Sequence, residues 1–96
     1  MNPVTITAGI LLGAGDATVN VFSHTVNYSH YFSAVSPGPW VLALAPGNYL
    51  VGIVGTCPPG GSVTINIAGI VSSVPAMPLP PFKTAGKFIQ GVSITV

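Results

Sequence analysis

The sequence predicts an all-β fold: a single small antiparallel β-sandwich or jelly roll of about seven to eight short strands, with residues 1–96 forming one domain. Three observations predict it. The 12 glycines and 10 prolines are spread along the chain and leave no window with apolar residues at helical three-and-four spacing. Apolar residues instead alternate with polar ones in short runs bounded by turn residues. A chain of 96 residues is also of a size to build one modest core, burying about two-thirds of its unfolded surface.

The first run, Val4-Thr5-Ile6-Thr7-Ala8-Gly9-Ile10, alternates strictly and sets Val4, Ile6, Ala8 and Ile10 on one face. Gly13-Ala14-Gly15-Asp16 reads as a turn, its glycines supplying positive φ and Asp16 bonding its local backbone. A second strand starts near Ala17 and runs into Phe22–Phe32, which reads nearly the same from either end about Asn27. A continuous strand from Ala17 to Val35 would far exceed the usual length of about five or six residues, so the chain is expected to reverse at Val26–Tyr28. Asn27 suits the left-handed conformation of a short hairpin loop. That reversal sets His24 opposite His30 and Phe22 opposite Phe32. The same palindrome also pairs antiparallel with its own copy across a two-fold axis, and both readings stay open.

Ser36-Pro37-Gly38-Pro39 ends that region. Trp40–Leu44, the turn Ala45-Pro46-Gly47-Asn48 and Tyr49–Thr56 then read as a hairpin. Trp40, Leu42 and Leu44 alternate with Val41 and Ala43, and Tyr49, Val51 and Ile53 with Leu50, Gly52 and Val54. Both faces of these strands are apolar, which suits central strands covered on both sides or an outer face covered by another subunit. Leu44-Ala45-Pro46-Gly47-Asn48-Tyr49-Leu50-Val51 resembles the turn that recurs in transthyretin-like and carboxypeptidase-regulatory-like β-sandwiches, where Pro-Gly precedes a Tyr starting a strand. The resemblance spans these eight residues; it implies a sandwich fold and carries no function. Ser62–Ile70 is a further strand with Val63, Ile65 and Ile67 inward. Val74–Pro81 holds four prolines and is expected to run as a polyproline-like segment over a rim. Phe88–Val96 closes the chain with Phe88, Val92, Ile94 and Val96 on one face.

Charge is the most unusual feature. Charged residues make up 3% of the chain, namely Asp16, Lys83 and Lys87, against about 25% in ordinary domains. Hydrophobic residues stand at 49%, so little electrostatic repulsion opposes self-association, and the composition points to a surface that is covered in use. A net charge of +1 offers no phosphate-neutralising patch, which argues against nucleic acid. No apolar run reaches the roughly 18–20 residues of a membrane-spanning helix. Val4–Leu12 lacks a basic leading segment and alternates with Thr, so no signal peptide is visible in this chain. An extracellular or particle-surface location is expected, reached after removal of a signal or by another export route.

The inventory argues against an enzyme. A glycosidase of the usual kind needs two carboxyls, and Asp16 is the sole acidic side chain. Neither a nucleophile elbow nor a phosphate-loop spacing is present, and too few anions exist for magnesium or calcium. No cofactor is expected. Cys57, the single cysteine, sits in the turn-like Gly-Thr-Cys-Pro-Pro-Gly-Gly and is either a passive thiol or a cross-link between subunits.

Two polar constellations remain. His24 and His30, paired across a hairpin or a two-fold axis, would place their Cβ atoms about 5 Å apart, near enough to ligate one zinc or copper ion with outside help. Protonating both near pH ~6 would set like charges side by side; the plainer reading is two histidines bonded to neighbouring hydroxyls. A sugar site would stack a pyranose on Trp40, Tyr28 or Tyr31 and bond its hydroxyls through Asn27, Asn48 or Ser29, although Trp40 also fits the core alternation. The leading expectation is a non-enzymatic, self-assembling subunit of an extracellular filament, surface layer or phage-type particle, a homo-oligomer or polymer joined through apolar strand faces and edges. Val4, Ile6, Ala8 and Ile10 would then serve as a strand donated to a neighbour. The alternatives are a lectin-like carbohydrate-binding module and an accessory domain of a larger surface protein.

Overall fold

The computed structural model describes residues 2–11, 15–33, 35, 38–57, 60–75, 79, 81–83 and 86–96. Among them are eight strands and no helix: β1 (Asn2–Leu11), β2 (Asp16–Phe22), β3 (Asn27–Ser33), β4 (Trp40–Leu44), β5 (Asn48–Cys57), β6 (Ser62–Ala68), β7 (Ser72–Val74) and β8 (Gly86–Thr95). They form two antiparallel sheets, one of three strands in the order β4-β1-β6 and one of five in the order β3-β2-β5-β8-β7. The expected all-β sandwich is what the chain forms.

Alternation explains the core. Each strand turns every second residue inward, and Val4, Ile6 and Ala8 of β1 meet Val19 and Val21 of β2, Val51 and Ile53 of β5 and Val92 and Ile94 of β8 in one buried cluster. Burying each such aliphatic side chain stabilises the fold by about 1.5–3 kcal/mol. The ends are tied off by polar contacts. Gly47 and Val96 exchange backbone hydrogen bonds of 2.9 and 2.8 Å, and the Tyr49 hydroxyl donates to the Ala45 carbonyl at 2.7 Å. At the other end Phe82 exchanges backbone bonds with Val63 beside β6 and stacks on Phe88 with ring centroids 4.4 Å apart.

The structure differs from expectation in four places, two of them in strand pairing. The β2–β3 turn is Ser23–Val26, closed by Ser23 N–H donating to the Val26 carbonyl at 2.9 Å, and Asn27 opens β3 rather than sitting at its apex. Phe22 therefore lies opposite Asn27, and His30 opposite Val19. Burial sets this register, because it brings Ala17, Val19 and Val21 into the core beside Phe32, whereas symmetry about Asn27 would not. Trp40–Leu44 and Tyr49–Thr56 do not form a hairpin: β4 pairs with β1 in one sheet, and β5 pairs with β2 and β8 in the other. Ala45–Gly47 is thus an arch between sheets.

Asp16 begins β2 and bonds across strands rather than to its local backbone. Cys57 ends β5 in the core, its thiol donating to the carbonyls of Gly61 at 3.2 Å and Phe82 at 3.4 Å, so it is not exposed for a cross-link between subunits. Gly13, Ala14, Ser36, Pro37, Pro58, Pro59, Ala76–Pro78 and Pro80 of the expected turns and proline segment lie outside the described residues.

Gly55 shows how tightly the two sides of β5 differ. It faces inward opposite Phe88, and a Cβ there would strike the Asp16 carbonyl oxygen, the Phe88 ring and Ala17. Gly52, one inward–outward alternation away, faces out with nothing within 4 Å of a Cβ. Gly55→Ala should therefore lose about 1–3 kcal/mol or more of unfolding free energy through overpacking, while Gly52→Ala should leave it unchanged or raise it by roughly 0.5–1 kcal/mol. Urea unfolding of the two variants checks the contrast.

Candidate functional site

The outer faces of the two sheets are chemically unlike. The three-stranded sheet shows Thr5 and Thr7 of β1 and Thr64 and Asn66 of β6, an array of hydroxyls and an amide, with Val41 (59% exposed) and Ala43 on its β4 edge and Ala68 at the end of β6. The five-stranded sheet shows Tyr31 of β3, Leu50 and Val54 of β5 and Ile89 of β8, exposed by 55%, 51%, 48% and 78%. Leu50, Val54 and Ile89 stand on central strands, and no strand among the described residues covers them.

Cross-strand pairing arranges this face in rows running across the strands. Tyr31, Thr18, Val54 and Ile89 form one row; Ser29, Asn20, Gly52 and Gly91 form the next. Beyond it lies Asn27, Phe22, Leu50 and Ser93. On the other side of the Tyr31 row lies Ser33, Asp16, Thr56 and Lys87. The paired glycines leave the second row low between taller neighbours. A depression of about 480 Å³ sits over it, lined by Thr18, Asn20, Asn27, Ser29, Gly52 and Val54. A second depression of about 710 Å³ adjoins Phe22, His24, Asn48, Leu50, Ser93 and Thr95.

Asp16 is a tie at the edge of this face. Its carboxylate accepts from the Thr56 hydroxyl at 2.8 Å, the Thr56 amide at 3.0 Å and the Tyr31 hydroxyl at 2.9 Å, joining β3, β2 and β5. Those donors, the Thr56 hydroxyl foremost and then Tyr31, hold the Asp16 carboxyl below its ordinary value, with burial pulling weakly the other way. The same bond, helped by burial and by the Asp16 charge, raises the Tyr31 phenol.

The expected site residues are dispersed. His24 lies in the exposed β2–β3 turn, whereas His30 points inward from β3, its ring stacked on Trp40 at 5.1 Å and edge-on to Phe32 at 4.7 Å. The hairpin register therefore does not bring the two histidines opposite each other, and the intrachain metal pair is corrected on that ground. No three His, Cys, Asp or Glu side chains gather among the described residues. Trp40 belongs to the inward alternation of β4 and closes one side of the sandwich against His30 and Phe32, so one of its ring faces is taken. Tyr28 is on the inward phase of β3, opposite Val21, and so on the other side of the sheet from Asn27 and Tyr31. Asn48 accepts from the Thr95 hydroxyl at 3.0 Å. The five expected sugar-binding residues thus do not converge, although Asn27, Tyr31 and Asn48 share the outer face.

The strand expected to be donated is in use at home. β1 is the middle strand of its sheet, bonded to β4 and β6, with Val4, Ile6 and Ala8 buried in this chain's own core and Ile10 packed against it. Alternation announces a strand with one buried face but does not say whose core it fills. The low row at Gly52 and Gly91 was missed; its signal is a glycine in the outward phase of each of two central strands.

No family model matches the chain, and no curated protein or solved structure does so either.

The Asp16 tie has a pH signature. Because its folded value is depressed, its contribution is fully present above the unfolded value near about 3.9 and is lost as pH falls through the folded value. Wild type should thus lose unfolding free energy below about pH 4 relative to Asp16→Asn, whose stability should respond less to acid, in parallel urea titrations at pH 7 and in acid.

Proposed function

We propose that this protein is a non-enzymatic subunit that works by assembling with its own copies, in an extracellular filament, surface layer or particle, and that the outer face of the five-stranded sheet is its main contact. One observation carries this reading: exposed Leu50, Val54 and Ile89 are grouped on central strands of that face in a chain where charged residues are 3%. Apolar area of this kind gains free energy when covered, and the charges present offer almost no repulsion to hold copies apart.

An edge supplies a second route. β4 is bounded by Pro39 and Pro46, β7 has three residues followed by Pro75, and β6 is partly covered by Phe82. β3 has seven residues with neither proline nor lysine, and among the described residues no strand pairs with its outer edge. It lacks the devices that normally keep an edge from pairing.

A second reading, a carbohydrate-binding module, is favoured by the amides and hydroxyls of Asn20, Asn27, Ser29 and Thr18 around one depression. Its weakness is that no aromatic ring for a sugar to stack on is among the described residues lining that depression.

Size-exclusion chromatography with light scattering at low micromolar concentration should show a defined oligomer or polymer, and Val54→Lys should lower its mass. A monomer at every concentration would overturn the assembly reading, and a glycan array, expected blank, would then test the sugar reading.

A further inference from the structure

Glycine in the interior of a central strand is costly: it adds backbone entropy to the unfolded chain and gives its neighbours nothing to pack against. A fold tolerates it where the conformation needs it or where space forbids a Cβ. Gly52 and Gly91 meet neither condition. Neither has a left-handed φ, and a Cβ on either would find nothing within 4 Å. They lie directly opposite each other on β5 and β8, both facing out. Among the described residues nothing calls for glycine at these two positions, which leaves close approach from outside as the physical reason for them.

The row beside them supplies the matching shape. Val54 and Ile89 stand one step of alternation away on the same two strands, about 6.6 Å along the strand at about 3.3 Å per residue. We infer that this face packs on the same face of a second copy, with Val54 and Ile89 of each subunit seated over Gly52 and Gly91 of the other. This rests on the assembly reading above and names its contact.

The symmetry permits it. A two-fold axis lying between the facing sheets, parallel to the rows and midway between ridge and trough, exchanges the two rows and keeps each strand over its own copy. Val54 then faces Gly52 of the second copy and Ile89 faces Gly91. Along the same rows Thr18 faces Asn20 and Tyr31 faces Ser29, so polar meets polar where the aliphatic part ends. Neither row contains a charged residue. The same axis exchanges the next rows out, setting Leu50 against Thr56, Phe22 against Asp16 and Ser93 against Lys87 of the copy, with the Asp16 carboxylate already satisfied by Thr56 and Tyr31. The area suffices as well. Two strands of ten residues, two of seven and one of three span a face of roughly 600 Å² at standard strand spacings, the low end of the ~600–1,000 Å² per partner of a standard interface.

A glycan laid in the trough is the competing occupant. It is disfavoured because the β8 end of the trough is bare glycine walled on one side by Ile89, which leaves the Ser93 hydroxyl of the next row as the polar group there for a sugar to bond.

The test is Gly91→Val beside Ile89→Lys, each read by unfolding in urea and by the dissociation constant from sedimentation equilibrium. Gly91→Val fills the trough from a position open to solvent, so at concentrations where both proteins are monomeric it should fold at least as stably as wild type, and it should associate at least tenfold more weakly. Ile89→Lys should weaken association to a similar or greater degree. Association of Gly91→Val as tight as wild type would overturn the ridge-in-trough contact; if Ile89→Lys still dissociates, assembly through the face stands without it. A wild type that stays monomeric would overturn both readings, as would a monomer whose amide resonances at Asn20 and Ser29 shift on titration with cello- or chito-oligosaccharides, which would give the trough to a sugar.

Discussion

The structure depends on β5, which runs the length of the five-stranded sheet between β2 and β8. Its inward residues Tyr49, Val51, Ile53 and Cys57 sit in the core, and at Gly55 the backbone of β2 and the ring of Phe88 come so close that no side chain fits. Its outward residues Leu50, Gly52 and Val54 form the middle of the open face. Period-two alternation ties these two surfaces together: whatever register buries Val51 and Ile53 also presents Leu50, Gly52 and Val54 to solvent. The core therefore dictates the face.

Charge plays a structural part and little else. The carboxylate of Asp16 is engaged by Thr56 and Tyr31, holding three strands together at one end of the face, and Lys87 stands in the same row. The remainder of the face is hydroxyl, amide, aliphatic or bare backbone. In water, such a surface gains more from being covered by a like surface than a charged one would, because neither partner has ions to desolvate.

Much of this was readable from residue order. The alternations at Val4–Ile10 and Phe88–Val96 named strands and their buried sides, because a period of two identifies an inward face without reference to any partner; at Trp40–Leu44 and Tyr49–Thr56 it named the strands, but with both faces apolar it chose no buried side. Which strand lies beside which was not readable. Trp40–Leu44 and Tyr49–Thr56 are joined by a short turn, yet they belong to different sheets, since Ala45–Gly47 serves as well for an arch between layers as for a hairpin. The palindrome about Asn27 misled for a related reason. Residue-type symmetry carries no energy in itself, whereas burying Val19, Val21 and Phe32 does, and the register that buries them places His30 against Trp40 instead of His24. The trough on the outer face escaped notice because Gly52 and Gly91 lie in different segments and become neighbours only through the β5–β8 ladder.

The central claim is that the outer face of the five-stranded sheet is covered by its own copy. Isotope-filtered NOE spectroscopy on a mixture of labelled and unlabelled protein tests it most directly, because it detects only contacts between subunits. The account predicts intersubunit cross-peaks from the Val54 and Ile89 methyl groups to the α-protons of Gly52 and Gly91. Intersubunit cross-peaks that arise instead from the Thr5, Thr7 and Thr64 face, with Val54 and Ile89 silent, would contradict it.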